Sequence, residues 1–299
     1  MALLFAATLF AASALLFLVE PMVGKMLLPY FGGAPAVWNT CLAFYQAALL
    51  AGYAYAHALT RWRRSGGQLV VHVAILALPW LVLPLAVRHD WAPNGGANPT
   101  LALVGILCTT VVLPFFVVAS TAPLLQQWFA STQHRHAADP YYLYAASNAG
   151  SMLGLVAYPA LVEPNLELGD QSRLWAAGYA LLMVLVVACV VAVWRQRPST
   201  ADDGPPAPAP GTTRPVAPPS LPLRLRWIAL AFVPSSLLLG VTSYLSTDVS
   251  PVPLIWVVPL ALYLLSFILV FTRLPARLHQ VFALALPLLV LAQIYHAFM

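Results

Sequence analysis

The chain has 299 residues, of which 61% are hydrophobic and only 8% charged. A soluble domain carries about 25% charged residues because its surface must be solvated, so a chain this poor in charge is an integral membrane protein, and the disordered, collagen-like and disulfide-scaffold classes are excluded. The net charge of +5 marks no nucleic-acid partner, since no basic cluster is interleaved with exposed aromatic residues, and membrane topology accounts for it.

A bilayer core of about 30 Å needs about 20 apolar residues in each crossing helix. Runs of that length, bounded by charge, Pro or Gly, predict nine helices near 2–19 (with a continuation past Pro21), 36–59, 68–87, 100–119, 141–161, 173–194, 227–246, 252–272 and 278–298. The first lacks a basic n-region and leads directly into more apolar sequence, so it is expected to remain as an uncleaved helix rather than be removed as a signal. The fifth carries Ser147, Asn148 and Ser151; the seventh turns polar at its far end, with Thr242, Ser243, Ser246, Thr247 and Asp248. Cys41, Cys108 and Cys189 fall inside apolar runs, form no Cys-x-x-Cys pair, and read as small buried hydrophobes.

Between the sixth and seventh helices lies the one long stretch unsuited to the membrane, with nine prolines from Pro198 to Pro222. Such a composition predicts an extended connector without a core. The expected organisation is therefore an all-α polytopic bundle grouped six plus three: a six-helix bundle over 1–194, a cytoplasmic linker over 195–226, and three further helices over 227–299.

Lys and Arg near membrane ends are retained on the cytoplasmic side. With the N-terminus inside, alternation places eleven of the thirteen arginines inside and leaves Arg88 and Arg173 outside, together with Glu163, Glu167, Asp170 and Asp248. An internal repeat is suggested by Trp38, Leu42, Ala43 and Tyr45 in the second helix, which match Trp256, Leu260, Ala261 and Tyr263 in the eighth. These helices correspond when two six-helix halves are joined by a cytoplasmic linker, as in major facilitator transporters. Three helices of the second half are then missing, which fits either an unusual architecture or the front portion of a longer protein.

Few residues could carry chemistry. Glu20 and Lys25, the chain's only lysine, flank Pro21, which breaks the helix ladder and frees a carbonyl. Charges at membrane depth usually face a cavity or a partner, so the two either line a cation path or form a structural ion pair at the outer interface. Asp139 before Pro140 has the form of a helix N-cap. Beyond it, Gly150 and Gly154 make a small-xxx-small face for close helix packing, and Asn148 must find a partner on another helix or on a ligand. Leu161-Val162-Glu163-Pro164 repeats the Leu-Val-Glu-Pro of residues 18–21, and Glu20, Glu163 and Asp248 facing one vestibule would attract cations. His134 and His136, with Arg135 between them and no Cys or Glu nearby, are a poor metal set, and His57 and His72 read as interfacial. No metal, cofactor or catalytic residue is expected, because no Ser/His/Asp set, GxxxxGK or GxGxxG occurs.

Three blocks carry a resemblance: EPMVGKMLLPYFGGAPAVWNTCLAFYQAALLAGYAYAH, DPYYLYAASNAGSMLGLVAYPALVEPNLELGDQSRLW and PSSLLLGVTSYLSTDVSPVPLIWVVPLALYLLSF. In this order they resemble the membrane portion of bacterial fused MFS/spermidine synthases. The resemblance implies a multi-helix, facilitator-like domain of the inner membrane, which in that family precedes a cytosolic aminopropyltransferase-like domain with a Rossmann-like fold. The segment His57 to Arg64 keeps the basic charge of the facilitator signature but lacks its aspartate and glycine spacing. The Gly-rich enzyme segment does not occur.

The expected function is that of a transporter-like module in the lipid bilayer. It binds or moves a small cationic, polyamine-like solute along Glu20, Lys25, Asn148 and Asp248, with the N-terminus and linker cytoplasmic. The alternatives are a membrane anchor for a spermidine synthase-like enzyme domain or protein, and a non-transporting scaffold. A second copy of the chain, in a homo-oligomer, is a further candidate source of the missing helices.

Overall fold

The structure is a computed structural model that describes residues 1–62, 65–87, 98–132, 137, 141–195, 219–245 and 257–271, with 280–281, 284–285, 288–289 and 291–292 near the end. In chain order the helices are α1 (Ala2–Phe31), α2 (Pro35–Trp62), α3 (Ser65–Leu76) with a 3-10 turn over Leu78–Leu81, α4 (Pro99–Thr110), α5 (Val112–Ala130), α6 (Tyr141–Ala157), α7 (Glu163–Asn165), α8 (Leu168–Arg195), α9 (Leu221–Tyr244) and α10 (Val257–Phe271). A π-helical turn over Tyr158–Val162 joins α6 to α7. No strand occurs among the described residues.

Among the described residues five helical segments are long and apolar enough to cross a membrane: Ala2–Phe31, Val112–Ala130, Tyr142–Asn165, Leu168–Arg195 and Leu221–Thr242. The described residues thus belong to an all-helical membrane protein. α2 is long enough, but Asn39, Gln46, His57 and three tyrosines lower its hydropathy, and it is not among the five.

Several boundaries differ from the sequence-based expectation. The continuation of the first helix past Pro21 extends through Pro29 to a Gly32 cap with φ +71°, a left-handed conformation that favours glycine. The expected third helix over 68–87 ends at Leu76, and Pro79 starts a tighter turn. The expected fourth, over 100–119, is two helices interrupted at Val111 and reaching Ala130. Asn98 caps its start, its side chain accepting from Thr100 N–H at 3.0 Å, with Pro99 in the first turn. Most of 196–226 and of 278–298 lies outside the described residues. Of the cysteines, Cys41 and Cys189 are buried as expected, whereas Cys108 is exposed on α4.

Contacts give the relative directions of the helices. α1 and α6 run parallel, with Gly150 against Phe10 and Gly154 against Ala14. The Ser13 and Ser147 hydroxyls share a hydrogen bond of 2.6 Å across this seam. α8 is antiparallel to α1: Trp175 Nε1 donates to Leu15 O at 2.9 Å, while Cys189 Sγ lies 3.3 Å from Thr8 Oγ1. α2 is also antiparallel to α1 but parallel to α5, with Tyr45 on Phe115 at 4.9 Å and Gly52 against Ala119 and Ser120. The segment from α3 to Leu85 runs antiparallel to α8, with Leu76 at Tyr179 and Leu85 at Ser172. Six successive segments from residue 2 to residue 195 thus alternate in direction, around a core centred on α1.

Where α3 ends, its last carbonyls lack helical donors, and α8 supplies one to Leu76 and another to Leu85 in the segment beyond. Tyr179 Oη donates to Leu76 O at 2.7 Å and Ser172 Oγ to Leu85 O at 2.7 Å, both buried. Tyr179→Phe should therefore lower stability by about 1 kcal/mol. Thermal unfolding of the purified protein measures this, and an unchanged melting point would mean that the Leu76 carbonyl is satisfied elsewhere.

α10 packs on α6 through Leu155, Val257 and Leu264. α9 packs lightly against α10, and its most apolar stretch is entirely unburied. In water such a helix would be untenable, but lipid tails solvate it as well as protein would.

Candidate functional site

The seam between α1 and α2 is built from two helix faces. On α2, Trp38, Cys41 and Tyr45 stand at i, i+3 and i+7, one face of a helix. On α1, Glu20 and Gly24 stand at i and i+4 and meet that face. A Cβ at position 24 would come within 2.8 Å of the Trp38 ring, so glycine lets the indole lie against α1. The Glu20 carboxylate lies within electrostatic range of the Cys41 thiol and the Tyr45 hydroxyl. Tyr45 is buried, and its hydroxyl has no hydrogen-bond partner. Among the described residues Glu20 itself has neither an ion-pair nor a hydrogen-bond partner. Pro21, next to it, has no N–H to donate to the Phe17 carbonyl one turn earlier.

Lys25 does not pair with Glu20. Five residues on an α-helix turn through about 500°, which leaves the two side chains about 140° apart around the axis. Glu20 therefore faces α2, while Lys25 reaches the other side and forms an ion pair with Glu163 at the end of the π-turn. That pair is about one-third exposed, with side-chain values of 36% and 34%. Glu163, expected as one of three vestibule acids, is thus neutralised by the chain's only lysine. Asp248 lies outside the described residues, as do Asp139, His134 and His136.

Asn148 hydrogen-bonds within its own helix. Its Nδ2 donates to Tyr144 O at 2.8 Å, one turn back along α6. Its neighbour Ser147 is the residue that bridges to Ser13 of α1. Glu20 lies seven residues beyond Ser13, two turns and about 10 Å further along α1 at 1.5 Å per residue. The structure joins Glu20, Lys25 and Asn148 to one another by no hydrogen bond or ion pair. It places them in three settings: an unpartnered carboxylate, an ion pair and a helix-internal hydrogen bond.

Two polar clusters were not apparent from sequence. His72, expected at an interface, is fully buried in α3, its Nε2 3.2 Å from Thr121 Oγ1. Its ring lies 6.1 Å from that of Tyr55 and 5.7 Å from that of Trp128. The second is Tyr158 with Gln171, either side of the π-turn and buried to 1% and 2% exposure. The signal for it was present in Pro159, placed where an α-helical ladder could not run undisturbed. Among the described residues no three His, Cys, Asp or Glu side chains are grouped to hold a metal.

No protein-family model matches the chain, and neither a curated protein nor a solved structure matches it.

Proposed function

We propose that the chain is a transporter-like module of the bacterial inner membrane that binds a small cation of the polyamine class, with Glu20 as the recognising carboxylate. The observation that carries this reading is the setting of Glu20. It is an acid on a helix long and apolar enough to cross a membrane, within electrostatic range of an unpartnered tyrosine hydroxyl, without a described partner of its own, while Lys25 is engaged by Glu163. A charge at membrane depth is costly and is retained facing a cavity or a counter-charge; a cationic solute would be that counter-charge.

The alternating direction of six segments over residues 2–195 supports a facilitator-like first bundle, with the helices after the Pro-rich segment as a second set in a six-plus-three arrangement. The distribution of arginines supports a cytoplasmic N-terminus and linker. The resemblance to fused MFS/spermidine synthases supports a polyamine as the ligand and an aminopropyltransferase-like domain as a partner.

The test is equilibrium binding of labelled spermidine to the purified chain in lipid nanodiscs. Saturable binding is expected, weakened at least about tenfold in Glu20→Gln, the loss of one charge-assisted contact. Cys108→Ser, exposed on α4, should bind like the parent. A folded Glu20→Gln protein with parental affinity, or a parent that prefers anions, would overturn the reading.

A further inference from the structure

A cavity of about 260 Å³ lies between α1, the π-turn and α8, away from the Glu20 seam. Its wall is built from regular helix faces: Leu15 and Met22 of α1 at i and i+7, Gln171, Leu174 and Gly178 of α8 at i, i+3 and i+7, and Tyr158 from the start of the π-turn. π-turns are frequent at functional sites because they widen the helix locally. At Gly178 the absence of a side chain keeps α8 close to Leu15, where a Cβ would come within 2.8 Å of a Leu15 methyl.

The wall is apolar apart from two groups. Tyr158 Oη and Gln171 Oε1 are both buried and have no hydrogen-bond partner. Gln171 Nε2 donates to Leu166 O at 2.9 Å, which fixes the amide so that its oxygen is the group left over. Gln171 therefore needs a donor, and Tyr158 can give or take a hydrogen bond. A hydroxyl answers either demand, donating to Gln171 or exchanging a hydrogen bond with Tyr158.

Water would satisfy these two atoms but not the rest of the wall, and apolar cavities stay dry. An ammonium would enter without a counter-charge in the wall, at a heavy desolvation cost. Since a cavity of about 150 Å³ takes benzene, this one has room for about ten non-hydrogen atoms. Leu174, at its rim, is 55% exposed on the lipid-facing side of α8, so entry is from the bilayer. We propose that this cavity binds a neutral amphiphile from the membrane, an apolar chain or ring of about ten non-hydrogen atoms carrying one hydroxyl.

The experiment uses the full chain in nanodiscs with a photoreactive diazirine analogue of 1-decanol, and the labelled peptides are mapped by mass spectrometry. Labelling is expected in α1 near Leu15 to Met22 and in α8 near Leu174 to Gly178. Unlabelled 1-decanol should compete about tenfold better than decane, the effect of one buried hydrogen bond. Gln171→Leu should reduce that preference to less than about threefold, and Leu174→Trp at the rim should suppress labelling. Labelling elsewhere, equal competition by decane, or an unchanged preference in Gln171→Leu would overturn the proposal. Should a variant fail to fold, the comparison of 1-decanol with decane on the unaltered chain decides alone.

Discussion

Replacing Gly150 by leucine is expected to break the α1–α6 seam, at a cost of at least about 3 kcal/mol. Overpacking a well-filled interface typically costs about 1–3 kcal/mol, and this position belongs at the upper end or beyond. A Cβ at residue 150 would overlap the Phe10 carbonyl oxygen and lie 2.9 Å from the Phe10 carbonyl carbon and Cα. These are backbone atoms of the central helix and cannot rotate aside. At Gly154 the same construction meets Ala14 O at 2.5 Å, so the seam has no slack one turn further on. Melting of the detergent-solubilised protein, followed with size-exclusion profiles, should show loss of the folded species. Gly105→Ala is the matched control, because nothing lies within 4 Å of a Cβ there. A Gly150→Leu protein that melts like the parent would mean that α1 and α6 do not approach this closely.

Lys25→Met is expected to destabilise the protein by about 2 kcal/mol, and Lys25→Met combined with Glu163→Gln to recover most of that loss. The single change strands a carboxylate at the end of a membrane-crossing segment, and breaking a fully buried pair costs about 3–5 kcal/mol. The pair is about one-third exposed, so the effect is discounted towards that of surface pairs, which are worth about 0–1 kcal/mol. Removing both charges leaves neither unpaired. A double-mutant cycle on thermal or chemical unfolding isolates the coupling, expected at about 1–2 kcal/mol. Additive single effects would show that the two charges do not act on one another.

Much of the architecture follows from hydropathy. The apolar runs mark where helices lie, and the Gly150/Gly154 spacing marks a face on which backbones can meet. What hydropathy does not specify is where a run ends or breaks. Pro21 sits inside an unbroken α1, whereas Pro79 coincides with the end of α3, and both stand in equally apolar surroundings. The difference is tertiary: α8 satisfies the Leu76 carbonyl at the end of α3 through Tyr179, and the Leu85 carbonyl beyond it through Ser172, and no local pattern encodes that. Charge pairing was hidden for a related reason. Glu20 and Lys25 are neighbours in sequence but not around the helix, while Lys25 and Glu163 are separated by 138 positions. Only knowledge that α1 and α6 run parallel brings the second pair into view. The cavity at Gln171 depends on three segments at once and left no mark beyond Pro159.

The two Leu-Val-Glu-Pro segments show how one tetrapeptide can address different neighbours. At residues 18–21 it lies in uninterrupted α-helix, and its carboxylate keeps the phase set by the residues before it, facing α2. At residues 161–164 its first two residues belong to the π-turn. A π-turn accommodates one more residue than an α-turn, so everything after it is rotated by about 100°, the angle of one residue on a 3.6-fold helix. That rotation acts as a phase shift between α6 and α7. It leaves the Gly150 face seated on α1 and aims Glu163 at Lys25. The same four letters thus spell a neutralised anchor in one place and an unpartnered acid in the other.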